Sequence, residues 1–194
     1  MNKFKVILRD VAIAVILALF VRTFLIQAYK IPTGSMVPTL LVGDHIILNR
    51  LSYGIRLPYF GYIVKWSDIQ RGDVVVFEFP NDKSKDFIKR VIALEGEEVE
   101  IRNKKVYING QQIEDKWGFF SDNNIYPSRD NWGPERVPKG HIFVLGDNRD
   151  ESNDSRFWGF VPKESVKGKA FIIYFSIDYS AGKIRADRIF SLIR

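Results

Sequence analysis

Two side chains in this sequence can make a nucleophile and its base. Ser35 lies in Ile31-Pro32-Thr33-Gly34-Ser35-Met36-Val37-Pro38-Thr39-Leu40, on a turn constrained by a glycine and two prolines, where a hydroxyl can be held exposed. Serine attacks a carbonyl only if a general base takes its proton near neutral pH. His45 and His141 stand far apart, each in an apolar stretch, and read as structural histidines. Carboxylates are weak bases for serine, and a lysine qualifies only when desolvation lowers its pKa. Lys89 meets that condition by pattern. In Phe87-Ile88-Lys89-Arg90-Val91-Ile92-Ala93-Leu94, strand alternation puts it on the face of Phe87, Val91 and Ala93. A fall of about two units from ~10.4 costs the charged form roughly 2.7 kcal/mol and lifts the free amine at pH 8 from under about one per cent to roughly a third. Arg90 faces the other way and stays protonated. Plainer readings stand beside these: most Gly-Ser pairs are loops, and a strand lysine often snorkels from an edge.

The elements that must position this pair are mostly strands. Apolar runs at His45–Leu48, Val74–Phe79, Phe87–Leu94, Val99–Ile101, Val106–Ile108, Ile142–Leu145 and Ala170–Phe175 are short and rich in Val, Ile and Phe. Gly43-Asp44, Gly72-Asp73, Asn109-Gly110 and Gly146-Asp147-Asn148 supply turns between them, and Asn103-Lys104-Lys105 can turn between the runs at Val99 and Val106. Ahead of the strands, Val11 to Ala28 is apolar apart from Arg22, Thr23 and Gln27. As a helix it would reach about 27 Å, near the hydrocarbon thickness of a bilayer. Starting the span at Val6 instead would put Arg22 at the far interface. A secretory signal is the rival reading, but Ile26-Gln27-Ala28 is a poor cleavage site, which favours an uncleaved anchor. Lys3, Lys5 and Arg9 precede the span and Lys30 follows it, so the N-terminus is expected in the cytoplasm and the rest outside.

These readings divide the chain into a cytoplasmic N-terminus (1–10), a transmembrane anchor (11–28) and an extracytoplasmic β domain (29–194), with 98–140 as a smaller hairpin and loop lobe. The 194 residues carry a net charge of +6, but the basic residues are scattered, so nucleic acid is not expected as a partner. The absence of cysteine excludes disulfides, thiolate metal sites and a Cys nucleophile. Trp117 to Gly140 looks like a surface excursion, its aromatic residues covering a small core, and Ile184 to Ile193 reads as a short helix. Arg71-Gly72-Asp73 reads as the turn before a strand rather than an adhesion tripeptide. Asn153-Asp154-Ser155 matches a glycosylation acceptor only formally.

Four blocks, in order, resemble the bacterial type I signal peptidases. They are Pro32 to Leu40, Gly43-Asp44-His45-Ile46-Ile47-Leu48-Asn49-Arg50, Lys89-Arg90-Val91-Ile92-Ala93-Leu94-Glu95-Gly96-Glu97, and Gly146 to Arg156 followed by Trp158-Gly159. The resemblance implies a twisted antiparallel β-sheet fold of the Ser/Lys peptidases behind one transmembrane helix, in the bacterial cytoplasmic membrane. It implies a serine endopeptidase that removes signal peptides from exported preproteins after Ala-x-Ala, without metal or cofactor, working beside the lipid bilayer. By the same resemblance Ser35 is the nucleophile and Lys89 the base, and the Ser35 N–H and the Thr33 hydroxyl form the oxyanion hole. Ser152 orients the lysine amine. Arg90 with Asp147, and Asp154 with Arg156, are structural ion pairs.

Overall fold

A computed structural model describes residues 3–20, 26–57 and 61–194. Helix α1 (Lys3–Phe20) comes first. The strands follow as β1 (Ile26–Lys30), β2 (Asp44–Asn49), β3 (Gly54–Leu57), β4 (Gly61–Lys65), β5 (Val74–Phe79), β6 (Asp82–Leu94) and β7 (Glu98–Arg102). Then come β8 (Lys105–Ile108), β9 (Gln111–Gln112), β10 (Trp132–Arg136), β11 (His141–Leu145), β12 (Val161–Pro162), β13 (Val166–Asp178) and β14 (Lys183–Ile184). Two one-turn helices, α2 (Pro127–Asp130) and α3 (Ser155–Trp158), lie among them.

The main sheet runs β1-β2-β13-β5-β6-β11-β12, with β14 on β13, and every pair in it is antiparallel. A second sheet, β10-β7-β8-β9, covers it at one end. The fold is mostly β. Asn103 and Lys104, then Asn109 and Gly110, take positive φ at the two tight turns of this sheet, the conformation a two-residue hairpin requires. Val74-Val75-Val76-Phe77 is buried throughout, because the sheet is covered on both faces there. One cluster packs Val75, Phe77, Val91, Ile142 and Val144 together; another joins the sheets through Ala93, Val99, Val106, Phe143 and Leu145.

Three expectations change. The helix spans Lys3–Phe20 rather than 11–28, and Ile26–Lys30 is strand: β2 offers it an open edge, and the pairing Ile26↔Asn49 to Lys30↔His45 satisfies its backbone. Residues 21–25 of the expected span lie outside the described residues, and no described helix is long and apolar enough to cross a membrane. The alternation that put Ala93 beside Lys89 holds from Phe87 to Val91 and then breaks. Val144 pairs with Val91 and Phe143 with Ala93, so Ile92 is an extra residue at a bulge and Ala93 joins Ile92 in the other cluster. The tail is no helix beyond one 3-10 turn at Ala186–Arg188; its backbone bonds go to β13 instead, Ile173 N–H to Ser191 and Phe190 N–H to Ile173.

Strand β6 outruns its neighbour. β5 pairs with it from Asp82 to Arg90, but β11 pairs only from Arg90 to Leu94, which leaves the second edge of Asp82–Lys89 unpaired among the described residues. β1 likewise has no second neighbour among the described residues, and Tyr29 on it donates to Asp86 Oδ2 at 2.9 Å. Two open strand edges are thereby brought together beside Lys89.

Candidate active site

The turn carrying Ser35 is fixed from below. Met36 and Leu40 are buried with Ile31, Ile46, Val74 and Ile173, while Thr33 stays exposed. Within the turn, Val37 N–H donates to the Gly34 carbonyl at 3.1 Å and Leu40 N–H to the Met36 carbonyl at 2.8 Å. Its ends are tied together, Ile31 N–H to the Asp44 carbonyl at 2.8 Å and Gly43 N–H to the Ile31 carbonyl at 3.0 Å. Against this turn lies Lys89 of β6, whose Nζ donates to Ser35 Oγ at 2.7 Å. Relative exposure is 9% for Ser35 and 4% for Lys89, so the contact is nearly dry.

Burial decides the charge state. It pushes the Lys89 ammonium down to about 8, against the pull of the Asp154 and Asp147 carboxylates and with help from Arg156. Both carboxylates are occupied elsewhere. Asp147 takes a two-pronged contact from Arg90, 2.7 Å from Nε and 2.6 Å from Nη2, with neither side chain exposed. Asp154 takes Arg156 Nε at 2.8 Å and Nη2 at 2.9 Å, and the Gly146 N–H at 3.0 Å. Paired carboxylates stabilise a neighbouring ammonium less than free ones, so the amine keeps its low affinity for the proton. A hydroxyl in contact with a part-deprotonated amine, held on a rigid turn, is equipped for acyl transfer.

A sequence profile of the family described as signal peptidase, peptidase S26, matches residues 4–175. The chain belongs to that family. Among its relatives, signal peptidase I of Pseudomonas fluorescens is 38% identical, the match covering 82% of this chain and 68% of the relative. Signal peptidase I of Leptolyngbya laminosa is also 38% identical, covering 88% and 79% of the two chains. The protein of that name from Aquifex aeolicus is 34% identical over 86% and 82%.

In this peptidase the residues singled out in the sequence fall unequally. Ser35 with Lys89, Arg90 with Asp147, and Asp154 with Arg156 are in contact. Ser152 is buried, but its Oγ makes no hydrogen bond, so the expected contact with the lysine amine is not formed here. The Ser35 N–H has no acceptor among the described residues. His45 Nδ1 and His141 Nδ1 stand 3.1 and 3.0 Å from the carbonyls of Gly43 and Lys139. Asp73 of the Arg-Gly-Asp tripeptide is buried, accepting from Tyr53 Oη at 2.8 Å.

The sequence reading missed what grips the site of this peptidase. Asn148 clasps the Ser35 turn twice, N–H to the Ser35 carbonyl at 3.1 Å and Nδ2 to the Gly34 carbonyl at 3.2 Å. A Cβ on Gly146 would run into the same Ser35 carbonyl and into Ser152 Oγ, so this loop approaches only as glycine. The supposed surface excursion straps that loop. Within it, Phe119 bonds by backbone to Asp147 and Arg149 and Asp122 N–H donates to Asp150 at 2.8 Å; just ahead of it, Asp115 pairs with buried Arg149. Trp117 lies over the Arg90 guanidinium at 5.0 Å. For the loop, the signals in the sequence were turn chemistry at Gly146-Asp147-Asn148 and the resemblance block from Gly146 to Arg156; for the strap there was none.

Proposed function

We propose that this chain is a membrane-bound signal peptidase that cuts preproteins after Ala-x-Ala, with Ser35 as nucleophile and Lys89 as general base. The observation that carries this is the dry 2.7 Å contact between Lys89 Nζ and Ser35 Oγ. Lys89 takes the hydroxyl proton as Ser35 Oγ bonds to the scissile carbonyl carbon. The tetrahedral oxyanion is met by the Ser35 N–H and the Thr33 hydroxyl; the N–H has no partner among the described residues and Thr33 is exposed. Lys89 then gives the proton to the leaving amine, an ester acyl-enzyme remains, and Lys89 deprotonates the water that hydrolyses it. Ser152, buried with a free hydroxyl, is assigned to hold the amine in line as the proton moves.

The substrate binds as an added strand between the open edges of β1 and Asp82–Lys89. Tyr29 and Ile88 pack on the apolar cluster under the nucleophile turn and give that groove a greasy floor, suited to small side chains. The membrane assignment is supported by α1, which leaves Phe4, Ile7, Leu8, Val11, Ile13, Val15 and Ile16 each more than half exposed. In this reading the anchor lies in the 11–28 stretch, whose described helical part is within α1; the N-terminus is cytoplasmic and the β domain lies outside. Purified protein in detergent, given a preprotein with an Ala-x-Ala site, should cut it once. Ser35→Ala and Lys89→Ala should each abolish cutting, and retained cleavage in Lys89→Ala would refute the base assignment.

A further inference from the structure

The nucleophile turn has a second support, at Thr39 rather than at the Gly34 and Ser35 carbonyls that Asn148 holds. Arg188, in the 3-10 turn after β14, donates from Nη2 to the Thr39 carbonyl at 2.9 Å and to Asp44 Oδ2 at 2.6 Å. Its Nε reaches Asp44 Oδ1 at 3.2 Å. Asp44 is fully buried and also accepts from the Leu41 N–H at 2.8 Å and Ser176 Oγ at 2.6 Å. Burial alone would raise its pKa; the bonds from Arg188, Ser176 and Leu41 outweigh that and hold it below the ordinary carboxylate value. Thr39 is a shared node, since its Oγ1 accepts from Arg90 Nη2 at 3.3 Å. Two arginines thus meet on one residue four places after Ser35, and one of them is the neighbour of Lys89. The same tail buries Ile193 with Met36 and Leu40, and the Arg194 carbonyl accepts from Arg90 at 3.1 Å.

A buried carboxylate needs a cation, and the next one, Arg185, stands off at 4.0 Å. Any cation in place would meet that need. What a guanidinium adds is its planar fork, which neutralises Asp44 and grips a main-chain carbonyl at once. We propose that Arg188 is a positioning residue for Ser35, setting the nucleophile turn at the depth where its hydroxyl meets Lys89. This rests on the Ser35–Lys89 reading. Small misplacements of a reacting group can cost on the order of a hundredfold in rate, so the turn's depth governs kcat and leaves substrate binding along the strand edges alone.

The test compares Arg188→Lys, Arg188→Ala and Ser35→Ala with the parent chain on a preprotein, each well below its own melting temperature. Lysine keeps the charge opposite Asp44 and loses the fork. The expected Arg188→Lys has near-parental melting, KM within about twofold and kcat down about tenfold; Arg188→Ala loses about a hundredfold in kcat. Parental kcat in Arg188→Lys overturns the proposal, as does failure of that variant to fold, which would make the arginine's part structural. If Arg188→Ala does not fold, the lysine variant alone decides. Cleavage retained by Ser35→Ala sinks the dyad reading itself, whatever the arginine variants do.

Discussion

At the scale of single residues, the proposed base role of Lys89 would tie rate and stability to one proton. With its pKa at about 8, the free amine grows tenfold per pH unit below that value and levels above it. The kcat/KM profile of the parent enzyme should show that limb near pH 8, and a flat profile into acid counts against a lysine base. Stability follows the same proton. The folded value lies below the ordinary 10.5, so between about 8 and 10.5 the unfolded chain holds more protons and stability rises with pH. Below about 8 both states are protonated and the cost of burying the ammonium is present in full. Lys89→Met should therefore abolish cleavage yet stabilise the fold at pH 7 by on the order of 2 kcal/mol in urea unfolding. An unchanged midpoint would mean the ammonium is not desolvated. For the oxyanion hole, Thr33→Ser should cut normally and Thr33→Val should lose about a hundredfold in kcat with KM unchanged. The pairing of Ser35 with Lys89 was legible because each lies in a patterned stretch: a bracketed turn and an alternating strand. The state of the Ser152 hydroxyl was not, since no pattern in one chain reports where a rotor points.

At the scale of elements, the site is a strand, a turn and a loop held under a strap. Gly146→Ala should drive the loop off the Ser35 carbonyl and lower kcat by about a hundredfold, with circular dichroism unchanged. Asp115→Ala strips the carboxylate from Arg149, which is 2% exposed and keeps only carbonyl contacts such as that of Nε with Gly146, and should cost about 3–5 kcal/mol of unfolding free energy. A loss under about 1 kcal/mol would show that the strap does not hold the loop. The strand beginning at Val74 was visible in the sequence because burial on both faces leaves an unbroken apolar run from Val74 to Phe77. The strap was not. Its Pro, Asn and Ser residues announce a loop, but composition does not say which surface a loop lies on. The tail differs for a related reason: a short apolar segment does not say by itself whether it will coil or pair, and here its backbone bonds to β13.

At the scale of the whole molecule, α1 and the β domain have to share a surface for the proposed role. The full chain should float with liposomes in a density gradient, and Ile13→Asp with Ile16→Asp should release it, since a charge at mid-span costs about 3 kcal/mol. Flotation unaffected by both aspartates would remove α1 as the anchor. The apolar stretch was plain in the sequence; its far boundary was not, because Ile26-Gln27-Ala28 can end a span or begin a strand, and here it pairs with β2. Contacts across the chain carry one more consequence. The bond from Asn148 to Gly34 spans 114 residues, and that from Lys89 to Ser35 spans 54. During synthesis, serine and lysine therefore emerge well before the loop that aligns them. If the proposed role holds, the catalytic arrangement would be complete only once that later stretch had closed over the turn.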